Sequence, residues 1–357
     1  MIKKGVENVK KILVIGGTGV TGHLIYRELQ TNPNLEIFGT SRRAAAISDD
    51  HIIYFDLAAD KQRNIALLQK FDFTVIALGP FEKYLNKVQQ LCIIAQVNCL
   101  DINDSILAAQ KIKNLQEQAE KQKVTVLTGF GLCPGLSTLA LGLNLSSTVT
   151  DIACRLYIGQ QPIGPGAMAA MLRTINQQYP VLVKGKKFWI DNEVTDNYRF
   201  WGHSQSSSLI GYENPEMVTT AALRKLKVNY SYKVHFAALK KTQLKFLLKA
   251  SSWLNTQTIP FLQKLYFLFS KMKRQVKQSD KGCLLEVTWK GKGQQKLVIS
   301  GESSYYMTAM FACVIVTEIF ETKITLAAGV YDWENLTANS ERVLADLEKK
   351  GLQIKHR

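Results

Sequence analysis

The sequence predicts an α/β fold: an N-terminal doubly wound parallel sheet, then an α+β second domain with a mainly antiparallel sheet. Three observations carry this expectation. Short β-branched runs alternate with helical periods through the first 135 residues or so. The first of those runs ends in four glycines within seven positions. From Asp151 onward strand-like runs follow one another with less helix between them.

The first element is Lys11-Ile12-Leu13-Val14-Ile15, which runs into Gly16-Gly17-Thr18-Gly19-Val20-Thr21-Gly22 and then a helical period with Leu24, Ile25 and Leu29 on one side. Strand, glycine turn, helix is the opening unit of a dinucleotide-binding domain. Glycine allows the sharp turn and the close approach of a diphosphate to main-chain N–H groups, and the helix N-terminus adds partial positive charge. Gly16, Gly17, Thr18, Gly19, Val20 and Thr21 are therefore expected to hold the diphosphate.

Leu35 to Thr40 reads as the second strand. An NAD site places Asp or Glu at its end, to hold the ribose 2′-OH. This chain has Thr40-Ser41-Arg42-Arg43. Hydroxyls and guanidinium groups suit a 2′-phosphate, because Arg pairs two phosphate oxygens and keeps its charge. The expected cofactor is NADP(H) rather than NAD(H), with Ser41, Arg42 and Arg43 on the extra phosphate.

Ile52 to Leu57 reads as the third strand, with Asp56 and Leu57 placed to touch the adenine. Phe73 to Leu78 is the fourth, and it ends in Gly79-Pro80-Phe81, so Leu78, Gly79 and Pro80 are expected beside the dinucleotide. Tyr84 to Gln96 and Ser105 to Lys121 have helical periods, and Cys99 to Ile102 and Val124 to Gly129 are short strands. The last leads into Gly131-Leu132-Cys133-Pro134-Gly135. Tyr84, Asp101 and Cys133 all stand at C-terminal ends of strands. They are the candidate catalytic residues: Tyr84 or Cys133 to pass a proton, Asp101 to orient a polar group.

Gly16 to Gly22, Gly79-Pro80-Phe81 with Tyr84, Leu100-Asp101 and Gly131 to Gly135 together resemble the saccharopine dehydrogenase family of NAD(P)-dependent oxidoreductases. Lys281-Gly282, Tyr305 to Met310 and Gly329-Val330 are similar to later landmarks of its saccharopine dehydrogenase-like oxidoreductase and trans-acting enoyl reductase branch. The chain departs at Cys133, where true saccharopine reductases carry an acidic residue, and it shows no arginine cluster for a substrate with several carboxylates. The resemblance implies a Rossmann domain over 1–135 and a substrate or dimerisation domain over 136–304. It also implies a C-terminal part, 305–357, that returns to helix and packs on the Rossmann domain. A small-molecule substrate and a homodimer are the partners it implies.

At 357 residues, 46% apolar and 21% charged, the composition is that of a soluble globular protein with two domains. Six cysteines lie at 92, 99, 133, 154, 283 and 313 without a C-x-x-C pair, which points to reduced thiols in a cytosol-like compartment and no zinc frame. The five histidines show no metal-ligand spacing. No apolar run reaches the length of a membrane span.

The net charge of +16 is concentrated: residues 231–300 hold fourteen Lys and Arg against two Asp and Glu. Lys240 to Leu254 and Ile259 to Lys277 both have helical periods. Two readings of 240–277 stay open, a core-packed helix pair with a solvated basic back and an anionic membrane surface as partner. No base-stacking or groove-reading motif accompanies the charge, so nucleic acid is not expected. None of the thirteen tyrosines has Lys four residues later and no G-x-S-x-G occurs, which argues against a short-chain reductase and a hydrolase. An NADP(H)-dependent oxidoreductase acting on a C=N, C=O or C=C bond is the leading expectation. Its rivals are an NADP(H)-binding sensor and a peripheral membrane scaffold.

Overall fold

The computed structural model describes residues 9–43, 49–160, 168, 171, 172, 174–251, 258, 282–321 and 323–356. The chain divides into two compact units: residues 1–131 with 308–339, and 132–307 with 340–357.

The first unit is built on a seven-stranded parallel sheet. Its strands are β1 (Lys10–Ile15), β2 (Leu35–Ser41), β3 (Ile52–Tyr54), β4 (Phe73–Ile76), β5 (Asn98–Asp101), β6 (Thr125–Leu127) and β15 (Gly329–Tyr331). The order across the sheet is β15-β6-β5-β4-β1-β2-β3. The chain thus moves outward from β1 in one direction, returns to β4 and moves outward in the other. The reversal lies between β1 and β4, where doubly wound sheets open their ligand crevice. Ile12, Leu13, Val14 and Ile15 are all fully buried, as a strand covered by helices on both faces requires. Each contributes about 1.5–3 kcal/mol of apolar burial.

Several boundaries differ from the sequence reading. The helix expected over Tyr84 to Gln96 is two pieces, Phe81–Tyr84 and Lys87–Ala95. Leu85, with φ +54°, turns the chain between them, and its N–H closes the first piece on Phe81 O at 2.7 Å. Ser105 to Lys121 is likewise divided, into Ile106–Lys113 and Gln116–Lys121. The segment expected as one helical return, 305–357, is distributed. The apolar helix Ser304–Phe320 lies in the first unit from Thr308 onward, where Phe311 stacks on Phe130 and Phe320 meets Phe73 edge-on. β15 extends the first sheet beside β6, whereas helix Ser340–Lys349 and strand β16 (Gln353–His356) belong to the second unit.

The second unit has a nine-stranded mixed sheet. Its further strands are β7 (Asp151–Ile158), β8 (Gln178–Val183), β9 (Lys186–Asp191), β10 (Thr195–Tyr198), β11 (Ser207–Gly211), β12 (Asn229–Phe236), β13 (Cys283–Lys290) and β14 (Gln294–Gly301). The main order is β10-β11-β12-β7-β13-β14-β16, with β8 and β9 branching from β12. Only β7 and β12 run parallel; the other pairs are antiparallel. β7 and β12 alternate inward and outward residues along their length, and the inward row holds Cys154, Leu156, Tyr230, Tyr232 and Val234. β8 and β9 form a hairpin turned at Lys184-Gly185.

Of the basic stretch, the described helix is Lys241–Ala250, which buries Leu244 and Leu248 and leaves Phe246 exposed. The helix expected over 259–277 and Lys281 lie outside the described residues; Thr258, before them, is described. Among the described residues no helix is long and apolar enough to cross a membrane.

Candidate functional site

The parallel register puts the ends of four strands on one edge of the first sheet. Ile15 pairs with Ile76, Ile76 with Asp101, and β2 ends beside them at Ser41. The glycine turn, Ser41 to Arg43, Gly79-Pro80 and Asp101 therefore share that edge.

Within the turn each glycine answers a different constraint. Gly16 has φ +85°, and a Cβ there would stand 2.7 Å from Ala77 O. A Cβ on Gly17 would reach Gly39 Cα at 2.8 Å, so β2 can pass close. A Cβ on Gly22 would lie 2.1 Å from Gly16 O, so helix Val20–Leu29 packs directly on the turn it follows. Gly19 differs: its nearest contact would be Gly16 O at 3.2 Å, and Thr18, Gly19 and Val20 are exposed. The N–H of Gly19 is spent inside the turn on Gly16 O, at 2.8 Å, while the first-turn amides that follow have no intrahelical acceptor. The turn thus offers exposed amides and partial positive charge over a stretch without side-chain bulk at Gly19.

Thr40 is not part of the open loop end. It is buried, and its Oγ1 accepts from Gly16 N at 3.0 Å. The hydroxyl grouped by sequence with Ser41 is therefore a strut of the glycine turn. Ser41 Oγ accepts the N–H of Arg43 at 3.1 Å, which curls the chain after β2. Arg42 and Arg43 are exposed, and neither is paired with a carboxylate among the described residues. Asp56 uses its carboxylate locally, accepting Ala58 N at 3.0 Å, while its carbonyl takes Asn64 Nδ2 at 3.0 Å. Leu57 is half-buried against the core. Leu78 packs on the same core, and Pro80 caps helix Phe81–Tyr84. Tyr84 is half-buried with Lys83 Nζ over its ring at 5.2 Å.

Asp101 is fully buried. Its Oδ1 accepts from Asn103 N, Thr128 Oγ1 and Gly129 N at 3.0, 3.0 and 2.9 Å, and its Oδ2 from Gln89 Nε2 at 2.7 Å. Burial pushes its carboxyl above the ordinary value, and these four bonds oppose the rise. A carboxylate so filled ties the ends of β5 and β6 together.

Cys133 belongs to the second unit and is half-buried. Its turn ends at Gly135, φ +110°, whose N–H donates to Thr138 Oγ1 at 3.3 Å and so starts helix Leu136–Leu143. Cys133 neighbours Cys154 on β7 and Tyr232 on β12, and burial first, then the interaction with Cys133, holds the Cys154 thiol well above its usual range.

Beneath that helix sits a group that sequence reasoning missed. Glu216 is fully buried and accepts from Ser137 Oγ, from Thr138 Oγ1 at 3.1 Å, from Asn214 Nδ2 at 3.0 Å and from Tyr230 OH at 2.5 Å. Burial raises its carboxyl, against the pull of those donors. The carboxylate at the helix's first turn complements its dipole. No local pattern marks Glu216, since three of the four groups that donate to it come from positions 137, 138 and 230. A second buried carboxylate, Glu286 on β13, takes Lys296 Nζ at 3.2 Å, Trp201 N at 2.6 Å and Tyr198 OH. Among the described residues no group of three or more His, Cys, Asp or Glu could hold a metal.

No family model and no curated protein matches the sequence. Solved structures do match. The apo saccharopine dehydrogenase (L-Glu forming) of Saccharomyces cerevisiae aligns with a TM-score of 0.65 at 12% identity, over 98% of this chain and 100% of that one. An engineered D-amino acid dehydrogenase bound to NADP+ aligns with a TM-score of 0.50 at 12% identity, over 94% and 98%. The chain thus has a saccharopine-dehydrogenase-like fold over its whole length, the likeness that its glycine turn and later landmarks imply.

Proposed function

We propose that the protein is an NADP(H)-dependent oxidoreductase that moves a hydride to or from a C=N, C=O or C=C bond of a small or lipid-like substrate. One observation carries the reading. The glycine turn leaves a space at Gly19 that a side chain would fill, flanked by exposed amides, while the strand beside it ends in two unpaired guanidinium groups. A diphosphate fits the first and a 2′-phosphate the second.

In this reading the amides of Thr18, Val20 and Thr21 hold the diphosphate, while Gly16, Gly17 and Gly19, whose own N–H groups are bonded within the turn and to Thr40, shape the turn beside it and Gly17 keeps β2 close. Ser41, Arg42 and Arg43 take the 2′-phosphate. Asp56 and Leu57 border the adenine, and Leu78, Gly79 and Pro80 line the nicotinamide side. When bound, the nicotinamide supplies the hydride. Tyr84 OH or Cys133 Sγ passes the accompanying proton. Asp101 holds the strand ends in place without touching the reacting atoms. The bound NADP+ of the engineered D-amino acid dehydrogenase supports a nicotinamide dinucleotide on this fold.

The four bonds that fill the Asp101 carboxylate support a second reading, a protein that binds NADP(H) and signals without turnover. One experiment separates the two: dissociation constants for NADPH and NADH, followed by NADPH oxidation over a panel of imines, ketones and enoyl compounds. Tight NADPH with stimulated oxidation supports the enzyme. Tight NADPH with a silent panel supports the sensor, and equal or tighter NADH removes the 2′-phosphate assignment.

A further inference from the structure

The hairpin β8–β9 of the second unit is an arm with no part in the proposed redox site. β9 pairs with β8 alone, so its other edge carries no ladder partner among the described residues. All six residues of β9 are exposed. Neighbours on a strand point to opposite faces, so Phe188 and Ile190 emerge on one side and Trp189 on the other. They are 48%, 40% and 51% exposed, and Val183 across the turn is 44% exposed. A run of exposed large apolar residues on an open sheet edge is a surface built for a partner.

Charge decides which partner. The turn residue Gly185 has φ +74° and sits so close to the 224–227 segment that a Cβ on it would meet Arg224 O at 2.6 Å and Lys227 Cα at 3.1 Å. Its N–H donates to Val228 O at 3.0 Å, and the N–H of Lys184 to Asn229 Oδ1 at 2.8 Å. The arm's tip therefore gathers Lys184, Lys186, Lys187, Arg224, Lys225 and Lys227, all exposed. Across 178–191 and 224–227 the single carboxylate is Asp191, at the far end of β9, where it accepts from Gln178 Nε2 at 3.1 Å. Lys187 Nζ lies 5.3 Å from the centre of the Trp189 ring, an aromatic body beside a cation.

We infer that the β8–β9 arm, with Arg224, Lys225 and Lys227 beside its tip, docks the protein on an anionic lipid surface: Phe188, Trp189 and Ile190 enter the headgroup boundary while the basic side chains meet lipid phosphates and carboxylates. Trp and Phe at the water–lipid boundary, ringed by Lys and Arg, match the chemistry of that boundary. A second copy of this chain fits less well, because two arms laid edge to edge would bring six cations against six, with Asp191 and, through Asn229, Asp151 of each to offset them. The arm lies outside 240–277, the stretch whose charge stands out in the sequence, and its docking does not depend on the redox reading.

The test is co-sedimentation of the full chain with phosphatidylserine-containing vesicles at low salt, with phosphatidylcholine-only vesicles alongside. The expected result is binding to the former alone, weakened about tenfold or more in F188A/W189A and in K186E/K187E, whose exposed positions leave the melting temperature unchanged. Brominated acyl chains should also quench tryptophan fluorescence in the wild type and lose that effect in W189F. Absence of binding to the serine lipid overturns the proposal, as does binding that neither double variant weakens. A wild-type dimer that F188A/W189A converts to monomer also overturns it and makes the arm a contact between copies.

Discussion

The side chain of Thr40 accepts the N–H of Gly16 at 3.0 Å, so the end of the second strand is fastened to the glycine turn by a single hydroxyl. This bond joins residues 24 positions apart at the point where a dinucleotide would lie. Thr40→Val keeps the shape and removes the acceptor. It should cost about 1–2 kcal/mol in urea unfolding and loosen NADPH binding along with it.

Gly19 and Gly22 should separate binding from folding. Gly19→Ala meets only Gly16 O, at 3.2 Å, with φ at −77°, so its melting temperature should stay near wild type. Its methyl group occupies the diphosphate space, and NADPH affinity should fall roughly tenfold or more. Gly22→Ala places a methyl 2.1 Å from Gly16 O and must displace backbone, so the loss appears first as stability, by about 1–3 kcal/mol or more. Calorimetric melting beside NADPH titration checks both.

Arg42→Gln and Arg43→Gln should each weaken NADPH roughly ten- to a hundredfold, the equivalent of about 1.5–3 kcal/mol for a charge-assisted bond, and leave NADH unchanged. Fluorescence titration of both cofactors reads the difference. An equal loss for the two would place these guanidinium groups away from the 2′-phosphate.

Asp101 and Glu216 give the acid and neutral range a defined slope. Burial raises both carboxyls above their unfolded values, so the folded chain binds their protons more readily than the unfolded one. Their contribution to stability is complete below the ordinary carboxyl value and declines as pH rises through the raised folded values. Glu216→Gln removes one of these titrations while its hydroxyl partners, Ser137, Thr138 and Tyr230, can reorient. Unfolding free energy measured across pH should decline less steeply in E216Q than in the wild type.

Cys133→Ala tests the proton-passing part. If Cys133 Sγ fills it, kcat falls by a factor of about 10²–10⁴ while the NADPH dissociation constant holds; Tyr84→Phe should show that pattern if the phenol fills it instead. Asp101→Asn should instead reduce stability and cofactor binding together, because the second oxygen of the clasp becomes a donor facing Gln89 Nε2 or Gly129 N.

The sequence alone determined the first six strands of the first sheet and the glycine turn after β1, because those rest on local physics. Ile12 to Ile15 is apolar, rich in β-branched residues and continuous, so it is a covered strand, and glycines at 16, 17, 19 and 22 can only be a tight turn into a helix. Tertiary structure decided what each polar group beside that turn is free to do. Along the chain Thr40 and Asp101 are only polar residues at strand ends; the fold gives them their bonds to Gly16, Gln89, Thr128 and Gly129. Glu216 carries no local signal, and it becomes the anchor of a helix only because positions 137, 138 and 230 converge on it. The same holds for the arm at Phe188 and Trp189: alternation along a strand says which residues share a face, and only the placement of neighbouring strands says whether that face is covered.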